Sequence, residues 1–309
     1  MTKTAVAKPH AASSLSRPGT ARLLARFPVF YRNCPVCGAF TEQHLAFEKL
    51  GFNILRCGRC KLGRTDVPAE FNPAAIYTDA YFQGGAADGY CDYPASGAIL
   101  RREFRRTLKH LRRVVSGGRL LEVGCAYGFF LDEARGWFES EGIEVSVAAA
   151  AACRQRGLNV SQGTVESVTS EGRKPYDAVV MLDVIEHLAD PAGTLEILHR
   201  RLSPGGGLLI TTGDWQSLLA RSLGRHWRLM TPPQHLFFFS RRNLILLLQR
   251  LGFSVVRCVR PWKWVPLGLA AYQVGNRCGW RFRSLEGLCG IGLPLNLFDA
   301  VQIVARKTG

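Results

Sequence analysis

From Arg119 to the end of the chain, short apolar runs alternate with amphipathic helical patterns, and this alternation constrains the fold more than any other feature. Strands separated by helices form parallel βαβ units with right-handed crossovers. The sequence therefore predicts an α/β fold, doubly wound around a mostly parallel sheet. The runs that predict strands are Leu120–Val123, Ile143–Val147, Ala178–Leu182, Leu208–Thr212, Ser254–Arg257 and Val301–Ala305, with helical patterns such as Pro191–Leu202 and Arg241–Leu251 between them.

Two CxxC pairs, Cys34 with Cys37 and Cys57 with Cys60, lie nearer the N-terminus and are separated by 19 residues. Each pair can sit on a tight turn that presents two thiolates to one side. Two such turns complete the tetrahedral four-thiolate shell that zinc prefers in structural sites, although a disulfide or two redox motifs are alternatives. Because a closed shell leaves no position for water, we expect a structural Zn2+ in a small zinc ribbon over residues 32–68.

Two further segments flank this ribbon. Residues 1–31 contain no acid and are rich in Ala, Ser, Thr and basic residues, which is typical of a mobile basic tail or, alternatively, of an organelle transit peptide. Residues 69–117 are expected to form a helical connector or cap, in which Ala98–Val115 carries one apolar stripe. The opposite face is interpreted as a solvated surface or, alternatively, a polyanion-binding surface, and it carries Arg101, Arg102, Arg105, Arg106, Lys109, Arg112 and Arg113.

The chain is strongly basic, with 40 Lys and Arg against 24 Asp and Glu and a formal net charge of +16. This excess favours anionic partners such as nucleic acid, phosphorylated metabolites or a membrane surface, without choosing among them. A run of about 18 uncharged apolar residues is absent, so no transmembrane segment is expected. Ten cysteines are too few for a disulfide scaffold, and no signal peptide is recognised, so we expect a reducing, cytoplasmic setting.

The stretch Leu120–Leu131 combines a buried strand, a turn of small residues and a helix start. Gly124 and Gly128 allow the backbone to approach a ligand and to point amide donors at it. Glu122, at the end of the strand, is a hydrogen-bond acceptor and suits a ligand with ammonium or hydroxyl groups better than a pyrophosphate. A turn of this kind is, by itself, a weak indication of function.

Three later stretches strengthen the indication. Together with the turn, Tyr176–Pro191, Leu202–Ile210 and Thr231–Leu236 closely resemble class I S-adenosylmethionine-dependent methyltransferases, in a broad group similar to ubiquinone-biosynthesis O-methyltransferases. The resemblance implies a Rossmann-like seven-stranded sheet within a methyltransferase domain at residues 118–309. It also implies S-adenosylmethionine as methyl donor and a small-molecule, sugar or glycan-precursor acceptor.

Members of this group that carry an N-terminal zinc ribbon are also similar to the chain over Cys34–Pro68 and around Tyr77 and Tyr81. The resemblance assigns cofactor-binding roles along the main domain. The residues implied to bind the cofactor are Glu122, Gly124, Cys125, Ala126 and Gly128 at its methionine and ribose end, Thr164 and Val165 beside adenine, and Asp183 near the reacting methyl group.

Two positions depart from the family pattern. Ala126 stands where the turn usually has its middle glycine, a mild change that adds one methyl group, and the second departure is more serious. The family usually has an acid at the end of the second strand, where it binds both ribose hydroxyls. Alignment places Ala148 or Ala149 there, and Glu144 is interpreted as lying too early on the strand. Loss of a bidentate charged acceptor lowers affinity by roughly 10- to 150-fold. We therefore expect cofactor binding near Ala149 to be weakened.

Methyl transfer to a hydroxyl benefits from a base, and histidine has a suitable pKa. The candidates are His187, which could instead be a structural helix-start residue, and His235 in an aromatic run, with Asp183 nearby. Residues 213–240 and 261–294 are interpreted as lid or cap segments. Their tryptophans could cover the acceptor or belong to the core: Trp215, Trp227, Trp262 and Trp264.

Two other functions are kept as alternatives. A zinc ribbon, the net charge of +16 and the arginine-rich helix would suit a ribosomal-RNA methyltransferase, so nucleic acid is a possible though less favoured partner. The alanines at 148–152 would suit a methyltransferase-like protein without catalytic activity. The oligomeric state and the methylated atom are left open by the sequence.

Overall fold

The computed structural model describes residues 29–82, 92–168, 174–278, 288 and 290–308. Of the tail expected over residues 1–31, positions 1–28 therefore lie outside the described residues. Among the helices that the structure describes, none is long and apolar enough to cross a membrane.

The strands follow one another along the chain as β1 (Val29–Cys34), β2 (Ala39–Lys49), β3 (Phe52–Cys57), β4 (Gly63–Thr65), β5 (Gly118–Val123), β6 (Phe138–Glu144), β7 (Asn159–Gln162), β8 (Tyr176–Leu182), β9 (Leu202–Gly213), β10 (Phe237–Phe238), β11 (Phe253–Val259), β12 (Lys263–Pro266), β13 (Gly292–Leu295) and β14 (Ala300–Lys307). The α-helices are α1 (Asp79–Phe82), α2 (Gly97–Leu111), α3 (Phe129–Ala134), α4 (Val147–Gln155), α5 (Val165–Val168), α6 (Pro191–Arg201), α7 (Leu218–Leu223), α8 (Arg241–Arg250) and α9 (Leu267–Cys278). Short 3-10 helices cover Pro73–Ile76, Ile185–His187 and Gly224–His226.

A seven-stranded sheet forms the centre of the molecule, in the order β11-β14-β9-β8-β5-β6-β7. The neighbours from β9 to β7 pair in parallel, whereas β14 is antiparallel to both β9 and β11. The predicted doubly wound, mostly parallel α/β fold is confirmed. Strand β7 was not predicted, because its four residues are mostly polar and carry no apolar run.

Both faces of the sheet are covered, and the side chains of β8 show how. Val179 and Met181 belong to one buried cluster, to which α8 contributes Leu244. Ala178 and Val180, pointing the other way, belong to a second cluster that includes Leu111 of α2. This alternation is the period-two pattern of a strand buried on both faces. It places helices on each side and leaves the carboxyl edge of the parallel strands free for a site.

Strands β1 to β4 of the cysteine-bearing segment form a second, antiparallel sheet in the order β1-β2-β3-β4, and β10 of the main domain extends it as a fifth strand. Strand β10 pairs with β4, with Phe237 opposite Arg64 and Phe238 opposite Gly63. The ribbon is therefore joined to the main domain through a shared sheet.

The end of the second strand of the main domain differs from the prediction. Strand β6 stops at Glu144 and does not continue to Val147. Ser146 begins α4, and its side-chain oxygen accepts a hydrogen bond from the Ala149 amide at 3.3 Å. An N-cap serine followed by an alanine run favours a helix over a strand. Ala149 is fully buried in the first turn of that helix, so its expected position at the strand end is wrong.

The basic face of α2 is largely engaged within the protein. Arg101 and Arg105 pair with acids of α3, and three other arginines stack on tryptophan rings. The contacts are Arg101 with Asp132 and Glu133, Arg105 with Glu133, Arg102 and Arg106 over Trp264, and Arg112 over Trp137. These contacts leave fewer arginines available for a polyanion than the sequence suggests.

Candidate functional site

A cavity of about 1420 Å³ opens at the carboxyl edge of the parallel strands. In open α/β sheets this edge is where ligands bind, because the chain turns away on both sides of it. The ends of β5, β6 and β8 supply the floor of the cavity, and segments from the connector, α2 and β12 line its other side. The floor residues include Glu122–Ala126, Ile143–Val145, Gly163–Glu166 and Leu182–Val184.

The turn after β5 is held in a conformation that needs small residues. Gly124 has a φ of +70°, and its amide donates to the Ile143 carbonyl at 2.8 Å. A Cβ at this position would lie 2.6 Å from Cγ2 of Val184. Ala126 adopts a φ of +46°. The turn is thus packed too closely for a side chain at position 124 and keeps its backbone facing the cavity.

Glu144 occupies the strand end that the sequence analysis assigned to Ala148 or Ala149. One carboxylate oxygen accepts from the Ala126 amide and the other from the Ser146 amide, each at 2.8 Å. Burial raises the pKa of this carboxyl, although the backbone donors oppose that effect. Each oxygen keeps a further lone pair, so the carboxylate can still accept two hydrogen bonds from a diol. Glu144 lines the cavity, and the interpretation that it lies too early was wrong.

Glu122 is the second carboxylate that lines this part of the cavity. It is 3% exposed and lines the cavity, and one of its oxygens has no hydrogen-bond partner within the described residues. Burial, followed by the neighbouring Cys153 and Glu144 charges, raises its pKa well above the ordinary value. A buried acceptor without a partner is costly unless a ligand donor reaches it, so this oxygen suits an amine or hydroxyl donor.

The remaining residues expected to bind the cofactor divide into two sets. Cys125, Ala126, Thr164 and Val165 line the cavity, whereas Gly128 and Ala149 are not among its described lining residues. Gly128 precedes α3 with a φ of +69°, and a Cβ there would lie 2.5 Å from Cδ1 of Leu158. Its requirement for glycine therefore comes from packing beneath the turn.

Asp183 directly follows β8 with a φ of +55° and carries an ion pair that was not predicted from the sequence. Its Oδ2 lies 2.6 Å from Nζ of Lys263, and the same Nζ lies 3.0 Å from Oε1 of Glu103. Burial alone would lower the pKa of Lys263, but the Asp183 and Glu103 carboxylates outweigh burial and raise it. The three residues come from the turn after β8, from α2 and from β12, and no sequence motif links them.

His187 lies in the 3-10 helix after β8 and faces the cavity. Its Nδ1 lies 2.9 Å from the Gln234 backbone carbonyl, which can only accept a hydrogen bond. Nδ1 must therefore carry the proton, and Nε2 is the acceptor of the neutral ring. Burial lowers the pKa of His187 below its ordinary value. The ring is thus held in the tautomer that can take up a proton at Nε2.

His235 packs against His187, with the ring centroids 4.7 Å apart and the planes at 72°. Burial and the His187 charge lower the pKa of His235 well below its ordinary value. Burial and the Asp183 charge raise the pKa of Glu186 to about 8. Polar atoms of Glu186, His187 and His235 lie within 4.8 Å of one another, a spacing at which the three can share a proton or a divalent cation.

Aromatic residues of the connector close the cavity above the histidines. Tyr77 contacts the His187 ring edge-on, with centroids 5.7 Å apart, and Tyr81 stands 5.1 Å from Tyr77. The Gln234 side-chain amide donates to the Tyr81 hydroxyl at 2.8 Å. Gln234 therefore binds His187 through its backbone and Tyr81 through its side chain, so that the tyrosine of the connector and the histidine are held together.

The four tryptophans of the expected lid segments have different surroundings. Trp264 lines the cavity, and Trp215 packs against Phe238 beside the ribbon. Trp227 is 2% exposed and donates from Nε1 to Asp299 at 2.8 Å, so it is a core residue. Trp262 is 52% exposed. Only Trp264 among these four is placed to contact an acceptor within the described lining.

The two CxxC pairs meet at one point of the ribbon. The four sulfur atoms lie within 4.8 Å of one another, with Cys34 to Cys60 at 3.5 Å and Cys37 to Cys57 at 3.9 Å. A tetrahedral ion bound to sulfur at about 2.3 Å separates its ligands by about 3.8 Å. The thiol set therefore fits a four-coordinate zinc ion and is too widely spaced for disulfides.

Comparisons with known proteins agree with this architecture. A family model described as "Methyltransferase domain" matches residues 98–257, a little over half of the chain. The ubiquinone biosynthesis O-methyltransferase of Alkalilimnicola ehrlichii is 32% identical over 129 residues, which cover 39% of this chain and 52% of that protein. The protein of the same name from Caulobacter sp. strain K31 is 32% identical over 108 residues, covering 33% and 43%.

The chain thus spans about half the length of the curated relatives it matches. Among solved structures, a candidate methyltransferase from Bacillus halodurans C-125 is similar with a TM-score of 0.51 at 11% identity. The similarity covers 67% of this chain and all of that one. At this level of identity the likeness supports the fold alone.

Proposed function

Because the chain belongs to the methyltransferase domain family, we propose that it transfers a methyl group from S-adenosylmethionine to a hydroxyl group of a small-molecule, sugar or glycan-precursor acceptor. The observation that carries this proposal is the tautomer of His187. Its Nδ1 proton is committed to the Gln234 carbonyl, which leaves Nε2 as an acceptor in the same cavity as the glycine turn and Glu144.

The cofactor end of the cavity has groups that complement S-adenosylmethionine. We assign Glu144 to the ribose hydroxyls, because its two oxygens are held in place by the Ala126 and Ser146 amides and can each accept once more. Glu122, with an oxygen lacking a described partner, suits the amino group of the methionine moiety. Gly124 lets the backbone approach the ligand, and Thr164 and Val165 would border the adenine.

When bound, the cofactor supplies a methyl group on a sulfonium centre, and the protein must mainly align an acceptor and exclude water. Tyr77 and Tyr81 of the connector exclude water from above. His187 accepts the hydroxyl proton at Nε2, while Nδ1 keeps its own proton and donates it to the Gln234 carbonyl, a hydrogen bond that stabilises the protonated ring. His235 keeps the second side of that ring in place. Asp183, paired with Lys263, anchors β12 over the site.

We also infer that the four cysteines hold a structural zinc ion. The sulfur separations of 3.5 and 3.9 Å support this, as does the Thr41 hydroxyl at 3.4 Å from Cys57 Sγ. Such outer hydrogen bonds are typical of structural sites. The ribosomal-RNA alternative relied on the zinc ribbon, the net charge of +16 and the basic face of α2, and much of that face contacts acids and tryptophans of the protein. The non-catalytic alternative relied on the alanines at 148–152, and the position of Glu144 at the end of β6 supports cofactor binding instead.

The test is product formation. The full chain, loaded with zinc, is incubated with S-adenosylmethionine and a panel of phenols, catechols and sugars, and methylated products are detected by mass spectrometry. We expect products carrying one added methyl group on oxygen, and a loss of about 100-fold or more in His187→Gln. Methylation of nitrogen or carbon acceptors alone, or full activity in His187→Gln, would contradict the proposal.

A further inference from the structure

The cysteine-bearing sheet extends directly into the acceptor end of the cavity. Strand β4 follows Cys60 after two residues and pairs with β10, which begins two residues after His235. The approach is close, since a Cβ at Gly63 would lie 2.9 Å from both Phe238 Cβ and Trp215 Cη2. Strand β4 of the ribbon and the segment that carries His235 and β10 therefore pack closely against each other.

Thr65, the last residue of β4, holds this segment with two hydrogen bonds. Its hydroxyl donates to the His235 carbonyl at 2.6 Å, and its amide donates to the Leu236 carbonyl at 2.9 Å. The residue is 1% exposed, so water cannot replace these donors without opening the interface. One buried side chain and its amide therefore satisfy two consecutive carbonyls.

The peptide between His235 and Leu236 is bound on both of its edges. Its carbonyl accepts from the Thr65 hydroxyl, and its amide donates to the Glu186 carbonyl at 2.8 Å. The first partner belongs to the ribbon, and the second belongs to the segment that carries His187. The peptide is clamped between the two, and its plane, together with that of the peptide before His235, sets the direction in which the His235 side chain leaves the backbone.

Other contacts keep the ribbon from shifting relative to the main domain. The Asn243 side-chain amide donates to the Cys60 carbonyl at 2.6 Å, and Arg250 donates to the Pro35 carbonyl at 2.6 Å. Both donors lie on α8, which packs in the core of the main domain. The position of Thr65 is therefore determined by the folded ribbon as a whole.

We propose that Thr65 is a positioning residue for His235: its hydroxyl orients the peptide that places the imidazole against His187. The four-cysteine ribbon is then part of the acceptor end of the site rather than an independent module. This inference rests on the proposed function for its meaning in catalysis, but the geometry that it concerns can be measured without any acceptor or cofactor.

The experiment uses the full chain loaded with zinc and compares Thr65→Val with Thr65→Ser. Valine keeps the shape and removes the hydroxyl, whereas serine keeps the hydroxyl and loses a methyl group. The readouts are the His235 ring signals in 15N–1H spectra at fixed pH, assigned with His235→Gln, and the exchange rate of the Leu236 amide. Thr107→Val is the control, because Thr107 is a buried residue whose hydroxyl accepts from Gln302 in the main domain.

We expect Thr65→Val to shift the His235 signals and to speed exchange of the Leu236 amide by about tenfold or more. Thr65→Ser should restore both, and Thr107→Val should change neither. Gly63→Ala offers a second route if Thr65→Val does not fold, since its methyl group should press on Phe238 and shift the same signals.

Unchanged His235 signals in Thr65→Val, or equal disturbance in Thr65→Ser, would overturn the inference, the latter because it would assign the effect to the methyl group. Failure of the proposed function is recognised separately. It would appear as absence of S-adenosylhomocysteine binding in the wild-type protein, whereas the His235 spectra would still report on Thr65.

Discussion

The two ends of the cavity are built in different ways. The cofactor end comes from adjacent strand ends of one sheet, and its groups are held by backbone amides of neighbouring turns, as Glu144 is by Ala126 and Ser146. The acceptor end is assembled from segments far apart in the chain, including Tyr81, His187 and Lys263. The first kind of site is encoded locally, and the second exists only once the fold has brought its parts together.

The largest effect is expected from changing the local turn. Gly124→Val should weaken S-adenosylhomocysteine binding by about 100-fold or more. The reasons are the φ of +70° and the 2.6 Å approach of any Cβ to Val184. Calorimetric titration measures it, with Gly136→Val as control, because Gly136 has open space around its Cβ position. Equal binding by the two variants would show that the turn does not contact the cofactor.

The next effect concerns the ion pairs that join the two ends. Lys263→Met leaves Glu103 and Asp183 without their shared cation, and we expect unfolding to become easier by about 2 kcal/mol after allowance for partial exposure. Urea denaturation gives the value. Arg260→Met is the matched control, since that guanidinium is largely exposed and lies 3.9 Å from Asp214. A Lys263→Met protein as stable as Arg260→Met would mean that the ends are joined by other contacts.

This ion-pair cluster also marks where sequence reasoning stops. The four cysteines were recognisable from their spacing, and the turn after β5 was recognisable from its glycines together with the family resemblance. Lys263 was missed because its contacts depend on how β12 packs on α2. The end of the second strand was placed a few residues too late, at Ala148 or Ala149 instead of Glu144. The available sign was Ser146 followed by alanines, a pattern that favours the start of a helix.

A smaller effect depends on pH and lies away from both ends. Arg101, Arg135 and Arg156 contact Asp132, and although burial opposes them, they hold the pKa of this carboxyl below its ordinary value. The stabilisation is therefore present above the unfolded pKa of about 3.9 and is lost as pH falls through the folded value. Asp132→Asn should cost about 1 kcal/mol at neutral pH and progressively less as pH falls below about 3.9. A cost that does not change with pH would exclude the charge as its origin.

The smallest effect is expected where the sequence alone placed the ribose site. Ala149 is fully buried in α4 and is absent from the described cavity lining. Ala149→Ser should therefore leave S-adenosylhomocysteine affinity unchanged. Thermal denaturation should show only a small loss of stability. A clear change in affinity without a change in stability would return the ribose site to α4.

The most direct test of the account is a calorimetric titration of S-adenosylhomocysteine into the wild-type protein, Glu144→Gln and His187→Gln. The account predicts measurable binding by the wild-type protein, a loss of roughly 10- to 100-fold in Glu144→Gln, and no change in His187→Gln. Equal losses in both variants would contradict the division of the cavity into two ends. Absence of binding by the folded wild-type protein would contradict the proposed methyl transfer itself.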